Sequence, residues 1–286
     1  ATHNATNFAA YDTSLGVVAA GPGVVTDLTA MASATLPDII PDNAGVIAQI
    51  TAEGDAGAIS LEGASTNRVK GLLQNSGWAS AVAMTNKTLL VSDLMIAEGK
   101  QGLTLGTAEG EGLIAPLAAD SQLTLINNSE SALTLNAGIT NGSAAAKVIK
   151  LGPGLVRLSG RNSYTGTTAI NAGTLEFSGR ATQTLAGVIS GAGALDKSGS
   201  GLLALSAANT FTGPATIKAG TAVAQNNAAF GSAASGTVVE AGATLDVGGT
   251  LAANALNLGS EPFTVSGTGV GDQGAIVNNS PNAQQN

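Results

Sequence analysis

The sequence predicts an all-β protein, specifically a right-handed parallel β-helix with about three short strands in each coil. Three observations predict this fold: an internal repeat, short segments in which apolar and polar residues alternate, and an interior that must be built from small aliphatic side chains. The repeat aligns residues 150–174 with residues 197–221 without a gap, at a spacing of 47 residues. Repeats made of short strands and glycine turns are typical of solenoids, in which each unit stacks on its neighbour.

The composition supports a folded chain with a narrow interior. Of the 286 residues, 44% are hydrophobic, only 3% are aromatic and 10% are charged, and 39 are glycine. Disordered chains combine low hydrophobicity with high charge, and this chain has neither property. A compact globular core of this size would use more Phe, Trp and Tyr. We therefore expect inward columns of Leu, Val, Ile and Ala.

Charge and cysteine content exclude several classes of function. The net charge is −8, from 11 basic and 19 acidic residues, and Lys147 and Lys150 are the nearest approach to a basic cluster, so nucleic acid is not an expected partner. The chain has no cysteine, which removes disulfides, thiolate metal sites and cysteine nucleophiles, and which favours an extracellular location. No segment approaches the roughly 20 apolar residues of a membrane span. No leader begins the chain, so we expect any signal peptide to have been removed.

Short segments with a two-residue period predict the strands. In each, apolar residues flank a polar or small residue, which we expect to point to solvent. These segments are residues 123–125, 133–135, 156–158, 175–177, 203–205 and 245–247. Residues 84–97 could form a helix, but their Thr88, Val91 and Ser92 favour a strand.

Asparagine and glycine mark the corners between strands. Asn162 and Asn209 occupy the same place in the two repeat units, and both residue types tolerate left-handed backbone conformations. Gly173 and Gly220 mark a second corner. Residues 239–247 resemble residues 170–177 with one insertion and form a degenerate third copy.

These lengths predict the size of the coil and of the rod. Three short strands with their corners need roughly 20 to 25 residues, so the 47-residue repeat predicts two coils. At about 4.8 Å per strand, some twelve or thirteen coils would form a rod of about 60 Å. We expect one continuous domain over residues 1–286, with degenerate coils in 1–120, clear repeat units at 150–174 and 197–221, and a degenerate repeat at 237–280. Neither end carries a closing element, so we expect either a longer polypeptide or ends that stack on other chains.

Three phrases of the second repeat unit resemble the autotransporter-associated β-strand repeat (PATR type), which occurs in the passenger regions of bacterial autotransporters and in large bacterial surface proteins. They are residues 197–206, 209–213 and 215–221. The resemblance is close over the two repeat units and weaker over residues 237–280. It implies a right-handed parallel β-helix, secretion, and a stalk, adhesive or fibre role, and it implies no catalytic residues.

Few residues have the chemistry of an active site. His3 is the only histidine, so a Ser-His-Asp arrangement would depend on it alone, and zinc sites are not expected. A glycosidase needs two carboxylates about 5 to 10 Å apart, which stacked coils could supply. Glu53 with Asp55, and Glu109 with Glu111, could each share one strand face, but we favour solvated corners. The candidate carboxylates are Asp12, Asp27, Asp38, Asp42, Glu53, Asp55, Glu109 and Glu111.

Other polar and aromatic positions are interpreted structurally. The glycines at residues 152–154 and 191–193 lack the phosphate-loop motif and are interpreted as turns. Trp78, the only tryptophan, is interpreted as core or corner filler, because a carbohydrate-stacking surface usually needs more aromatic residues. The asparagine pairs at 127–128 and 278–279 predict side-chain ladders at corners. We assign no catalytic, cofactor-binding or metal-binding residue.

The sequence thus predicts a non-enzymatic extracellular structural or adhesive protein of the bacterial cell surface, acting as a stalk or fibre segment. Expected partners are further repeats of the same polypeptide or other copies joined end to end. A cell-surface or glycan receptor is a further possibility. The alternatives are a polysaccharide-degrading lyase or hydrolase and a glycan-binding adhesin. Activity on glycans would identify the first alternative, and binding to a glycan array the second.

Overall fold

The structure, a computed structural model, describes residues 9–12, 16–19, 25–27, 39–51, 59–248 and 256–280, with side chains from residue 39 onward. In these residues the regular structure is β-strand, apart from one 3₁₀ turn at Val270–Asp272. The predicted all-β class is therefore confirmed. Among the strands of the three large sheets every pairing is parallel, and the hairpin β1–β2 is antiparallel.

The strands are numbered in chain order. The first fourteen are β1 Ala9–Asp12, β2 Gly16–Ala19, β3 Val25–Asp27, β4 Ile39–Ile40, β5 Asn43–Ile50, β6 Ser60–Leu61, β7 Thr66–Gln74, β8 Ser80–Val82, β9 Thr88–Ile96, β10 Leu103–Leu105, β11 Leu113–Pro116, β12 Gln122–Asn127, β13 Leu133–Leu135 and β14 Gly138–Ile139. The remaining fourteen are β15 Lys147–Leu151, β16 Leu155–Leu158, β17 Thr168–Ile170, β18 Thr174–Phe177, β19 Gln183–Leu185, β20 Ile189–Ser190, β21 Ala194–Lys197, β22 Leu202–Leu205, β23 Ala215–Ile217, β24 Gly220–Ala224, β25 Thr237–Val239, β26 Ala243–Asp246, β27 Phe263–Val265 and β28 Ile276–Val277.

Three parallel sheets form the faces of a solenoid. Sheet 1 has ten strands and runs from β3 to β20, with β11 and β14 beside its main path. Sheet 2 has nine strands, in the order β8, β10, β13, β16, β18, β21, β23, β25 and β27. Sheet 3 stacks β19, β22, β24, β26 and β28. The chain visits sheets 1, 2 and 3 in turn, as β17, β18 and β19 do, and then begins the next coil.

Inward side chains form continuous columns along the axis. In sheet 2 the column runs Val82, Leu105, Leu135, Leu158, Phe177, Lys197, Ile217 and Val239. These side chains are almost fully buried in one contiguous core that extends through the stack. The narrow lumen accepts one such side chain per face and per coil, which explains the scarcity of aromatic residues.

The strand predictions are confirmed and the coil count is corrected. The two-residue pattern at 133–135 coincides with β13, and residues 88–96 form strand β9 rather than a helix. The nine strands of sheet 2 show about nine stacked turns, fewer than the predicted twelve or thirteen. Coil length varies, because Leu103 pairs with Leu133 whereas Val156 pairs with Leu175, and the longer coils use up chain in corner loops.

The prediction that one repeat equals two coils is wrong. Val156 pairs with Leu175, and Leu175 with Leu195, so two coils end eight residues before Leu203, the repeat equivalent of Val156. Leu203 lies in sheet 3, one face further around the solenoid. The same advance separates β15 from β21, β17 from β23, and β18 from β24. Each repeat therefore spans two coils and one face, because coils in this region need only about 20 residues.

The corner residues act by a different mechanism from the one predicted. Gly173 and Gly220 adopt positive φ, 65° and 66°, as expected, but Asn162 and Asn209 do not. Instead, the side chain of Asn209 accepts a hydrogen bond from the main-chain N–H of Ile189 (2.8 Å) and donates one to the carbonyl of Ala229 (2.7 Å). Each of these carbon-free contacts joins a neighbouring coil, so the asparagine is an inter-coil clamp rather than a turn former.

Candidate functional surface

The outer surface of sheet 2 carries a charged stripe that the sequence reasoning missed. The side chains between the inward residues stack as Thr134, Arg157, Glu176, Asp196 and Thr216. Glu176 and Asp196 therefore occupy adjacent coils, and their backbones are about 4.8 Å apart in a sheet of this kind. The signal was present in the sequence, since both residues are the middle position of an alternating segment in successive coils.

Two ion pairs neutralise the carboxylates of this stripe. The Nε of Arg157 lies 2.8 Å from Oε2 of Glu176, and Nζ of Lys218 lies 2.6 Å from Oδ2 of Asp196. The hydrogen bond to Asp196, with the negative charges of Asp196, Glu176 and Glu240, raises the pKa of Lys218 above its ordinary value against a smaller opposing effect of burial. Both carboxylates are more than 90% buried. The outer stripe is thus covered, whereas the sequence predicted solvent-exposed positions there.

The carboxylates predicted as candidates do not converge. His3, Asp38, Glu53 and Asp55 lie outside the described residues, as do the side chains of Asp12 and Asp27. Asp42 pairs with Arg68 at 3.3 Å. Glu109 and Glu111 lie on the loop between β10 and β11 and not on a strand face. The pairing proposed for these two residues is therefore wrong.

Glu109 and Glu111 each fasten the loop to a different part of the solenoid. Glu109 accepts a hydrogen bond from the main-chain N–H of Arg180 (2.6 Å), in a coil well above its own. The carboxylate of Glu111 accepts hydrogen bonds from Met84 N–H (2.7 Å), Thr85 Oγ1 (2.8 Å), Thr107 N–H (2.6 Å), Thr107 Oγ1 (2.5 Å) and Ala108 N–H (3.0 Å). Burial would raise the pKa of Glu111, but these hydrogen bonds together lower it to about 2. This carboxylate is a structural cap.

Two lysines are buried in equivalent positions of the repeat. The ammonium of Lys150 donates hydrogen bonds to the carbonyls of Leu151 (2.9 Å), Gly152 (2.6 Å) and Ala172 (3.0 Å). The ammonium of Lys197 donates to the carbonyls of Gly199 and of Ala219 (3.0 Å). Burial lowers the pKa of both lysines to about 8. Lys150 is therefore not part of a basic surface.

The remaining polar and aromatic candidates have defined positions. Trp78 lies at a corner with 53% of its surface exposed, so it does not fill the core. Asn127 is buried and donates to the carbonyls of Ser131 (2.8 Å) and Leu155 (2.7 Å), so it bonds main chain rather than forming an asparagine ladder. Asn279 donates to Oδ2 of Asp246 at 3.0 Å.

Searches for a metal site or a membrane helix gave no candidate within the described part of the chain. No group of three or more His, Asp or Glu side chains there is placed to hold a metal ion. No helix among the same residues has the length and apolar character needed to cross a membrane.

The comparison with protein families connects this geometry to a known repeat. The family model of the passenger-associated-transport-repeat matches residues 148–177 and 195–221. The chain carries two passenger-associated-transport-repeats. The resemblance noted from the sequence is thereby confirmed. No curated protein and no solved structure matched the chain.

The matched segments coincide with the structural unit described above. Each begins just before a buried lysine, contains one clamp asparagine and ends beyond the positive-φ glycine, Gly173 or Gly220. The passenger-associated-transport-repeat is a component of secreted, cell-surface passenger domains, and a parallel β-solenoid fits such a domain. The repeat thus encodes seven consecutive faces of the solenoid.

Proposed function

We propose that this protein is a non-enzymatic structural segment of a bacterial surface protein, which acts as a stalk or fibre and presents adhesive surfaces at a distance from the cell. The observation that supports this proposal is the continuous inward column of sheet 2, which passes from Val82 to Val239 without a break in register. Such a column makes a stiff element whose length grows with the number of coils. The family match supports the surface location.

The internal neutralisation of charge also supports a structural role. The carboxylates that the coils bring together, Glu176 and Asp196, are each held by a basic side chain at hydrogen-bonding distance. Glu111 is saturated by five donors. These groups stabilise contacts between coils, since a substrate would have to displace a protein partner to reach them.

End-to-end joining is part of the proposal. Val265, Val270 and Ile276 are exposed apolar residues near β27 and β28. An exposed strand edge with apolar side chains is a template for pairing with another strand. The partner would be a further segment of the same polypeptide or another copy of this chain.

The experiment that tests this proposal combines sedimentation velocity with negative-stain electron microscopy over a hundredfold range of concentration. We expect elongated particles that lengthen with concentration, and we expect Ile276→Lys with Val265→Lys to abolish lengthening while the single particle stays rod-shaped. Trp78→Lys, at a side corner, is the matched control and should leave lengthening unchanged. Globular particles, or rods of constant length in both proteins, would contradict the fibre proposal.

A polysaccharide-degrading enzyme is the second candidate. The observation that favours it is the juxtaposition of Glu176 and Asp196, since retaining glycosidases place two carboxyl groups about 5 to 5.5 Å apart. A screen for turnover of neutral and uronate glycans distinguishes the candidates. Turnover that disappears in Glu176→Gln and persists in the control Glu240→Gln would establish the enzyme, whereas no turnover in any sample agrees with the structural proposal.

A glycan-binding adhesin is the third candidate, and the exposed indole of Trp78 favours it. Aromatic side chains offer a flat apolar face beside polar groups, which suits ligands that are amphipathic. Binding to a glycan array that is lost in Trp78→Ala would support this role. Binding that is unaffected by this substitution would assign the ligand to another surface.

A further inference from the structure

Lys150 and Lys197 each interrupt an otherwise apolar inward column. In sheet 1 the column runs Leu72, Leu94, Leu125, Lys150 and Ile170, and in sheet 2 Lys197 lies between Phe177 and Ile217. Lys150 is fully buried and Lys197 is 4% exposed. A leucine or methionine would fill either position, so the ammonium group is not needed to fill space.

Each ammonium joins two consecutive coils at a corner. Lys150 donates to the carbonyl of Gly152, two residues ahead in its own coil, and to that of Ala172, 22 residues ahead in the next coil. Lys197 donates to the carbonyls of Gly199 and Ala219, at the same two spacings. The same cage of carbonyls is therefore built twice, once in each repeat unit.

The apolar columns alone distinguish poorly between one coil and the next. Ile170, Ile217 and Val239 occupy inward positions at the end of similar three-residue strands, β17, β23 and β25. A coil that pairs one turn out of register would still bury an aliphatic side chain against an aliphatic column. Register is weakly specified wherever such a slip conserves the burial of apolar groups.

A buried ammonium removes this ambiguity. In a slipped arrangement Lys150 would lose the carbonyl of Ala172, and Lys197 that of Ala219, which would leave a buried charge with too few partners. An unpaired buried charge is strongly unfavourable, whereas replacement of a well-paired buried charge by an apolar group of similar volume is often neutral or stabilising. Such a group disfavours wrong arrangements more than it stabilises the correct one.

We infer that Lys150 and Lys197 set the register between coils and contribute little to net stability. The advance of one face per repeat makes the two lysines complementary, because Lys150 lies in sheet 1 and Lys197 in sheet 2. A slip in either sheet is therefore penalised by its own lysine. This role is independent of whether the solenoid is a stalk, an adhesin or an enzyme.

The test uses the full chain and its variant Lys150→Met with Lys197→Met. At pH 7.5 we expect the denaturant midpoint of the variant to equal or exceed that of the wild type. We expect recovery of native monomer after dilution from denaturant to fall at least threefold, as slipped chains associate. Hydrogen-exchange mass spectrometry of the purified variant gives an independent reading, in which slipped chains appear as a second mass envelope in peptides of residues 148–221.

Two control variants separate register from other effects. Lys147→Met removes an exposed lysine three residues away, and Leu125→Met changes an apolar member of the same column. Both should leave midpoint, recovery and exchange as in the wild type. A lower midpoint in the double lysine variant, or failure to fold at all, would show that the lysines supply stability. Unchanged recovery with a single mass envelope would show that they do not set register.

Discussion

Charged groups inside this solenoid are stabilised by main-chain partners at the corners rather than by surface ion pairs. Lys150 and Lys197 donate to carbonyls, and Glu111 accepts from N–H and hydroxyl groups. Hydrogen bonds to a charged group contribute about 1.5–3 kcal/mol each, whereas an exposed ion pair contributes about 0.2–1 kcal/mol. These corner contacts therefore dominate the electrostatic part of the fold.

The buried lysines predict that stability rises with pH. Their pKa is lowered from 10.5 to about 8 in the folded chain, so between these values the unfolded chain binds more protons than the folded one. Stability must then increase as pH rises through this window. We expect the denaturant midpoint, followed by circular dichroism, to be higher at pH 9.5 than at pH 7.5.

The range ends at pH 9.5 because burial raises the pKa of Tyr164 to about 12, and a raised tyrosine pKa lowers stability as pH rises above 10. The control is Lys150→Met with Lys197→Met, in which the rise should disappear. A rise of equal size in the variant would mean that other groups cause it.

The carboxylate of Glu111 predicts an acid-sensitive contact with the opposite sign. Its pKa is lowered to about 2, so its contribution is complete above about 4.5 and is lost as pH falls towards 2. Glu111→Gln places an amide donor against N–H donors and should lower the free energy of unfolding by about 1–3 kcal/mol at pH 7.

Glu109→Gln is the matched variant on the same loop. Its partner Arg180 is 84% exposed, and the glutamine carbonyl can still accept the Arg180 N–H, so we expect a change below about 1 kcal/mol. Equal losses in the two variants, measured by chemical denaturation, would refute the assignment of Glu111 as the cap.

At the scale of the element, the corner is the unit that joins one coil to the next. A short parallel strand cannot return to its neighbour through a tight hairpin, so the corners must align three strands and still bring the backbones close. Asn209 does so through its side chain, and Gly213 does so through the absence of one. The two residues lie in the same corner and can be tested separately.

Loss of the asparagine clamp should be costly. Asn209→Ala leaves the N–H of Ile189 and the carbonyl of Ala229 without their partner in a buried corner. We expect a loss of about 2–4 kcal/mol, since each buried unsatisfied group costs about 1–3 kcal/mol. Asn171→Ala, at an exposed corner position, should be nearly neutral in the same denaturation assay. A neutral Asn209→Ala would show that water replaces the clamp.

Glycine at the same corner is required for close approach rather than for backbone conformation. A Cβ at Gly213 would lie 2.1 Å from the carbonyl oxygen of Gly193 in the preceding coil, so Gly213→Ala must push two coils apart. We expect a loss of about 3 kcal/mol. At Gly242 the φ angle is +83° but nothing lies within 4 Å of a Cβ, so Gly242→Ala should cost only about 1–2 kcal/mol. Equal midpoints for the two variants would contradict this distinction.

At the scale of the whole molecule, each coil contacts only its neighbours. Interior coils are covered on both sides, as Leu135 and Leu158 show by their complete burial, whereas Val265 and Ile276 are 40% and 45% exposed. In such one-dimensional stacks, local opening is easiest where a coil has the fewest buried contacts.

Hydrogen exchange should report this gradient directly. We expect amides of β13, β16 and β18 to exchange slowest and those of β27 and β28 fastest, in a monomeric sample measured by mass spectrometry. End-to-end joining would slow β27 and β28 specifically as concentration increases. Uniform protection along the monomer would mean that the solenoid opens only as a whole.

Local pattern was sufficient to predict the class of fold and most strands of the repeat region. Alternation at 133–135 and at 156–158 marks β13 and β16, because a strand with one buried face must alternate. The family resemblance followed from the same residues. Alternation also identifies which residues are outward, but it could not show that outward Glu176 and Asp196 are covered by their neighbours.

What the sequence determined by itself is therefore the kind of chain: short parallel strands, an aliphatic interior and a repeat of 47 residues. The tertiary structure decided which residues meet. Only winding at about 20 residues per coil places equivalent strands on successive faces, brings Glu176 against Asp196, and closes the carbonyl cages around Lys150 and Lys197. The physical reason is that these contacts depend on coil length, a global property that no local residue pattern specifies.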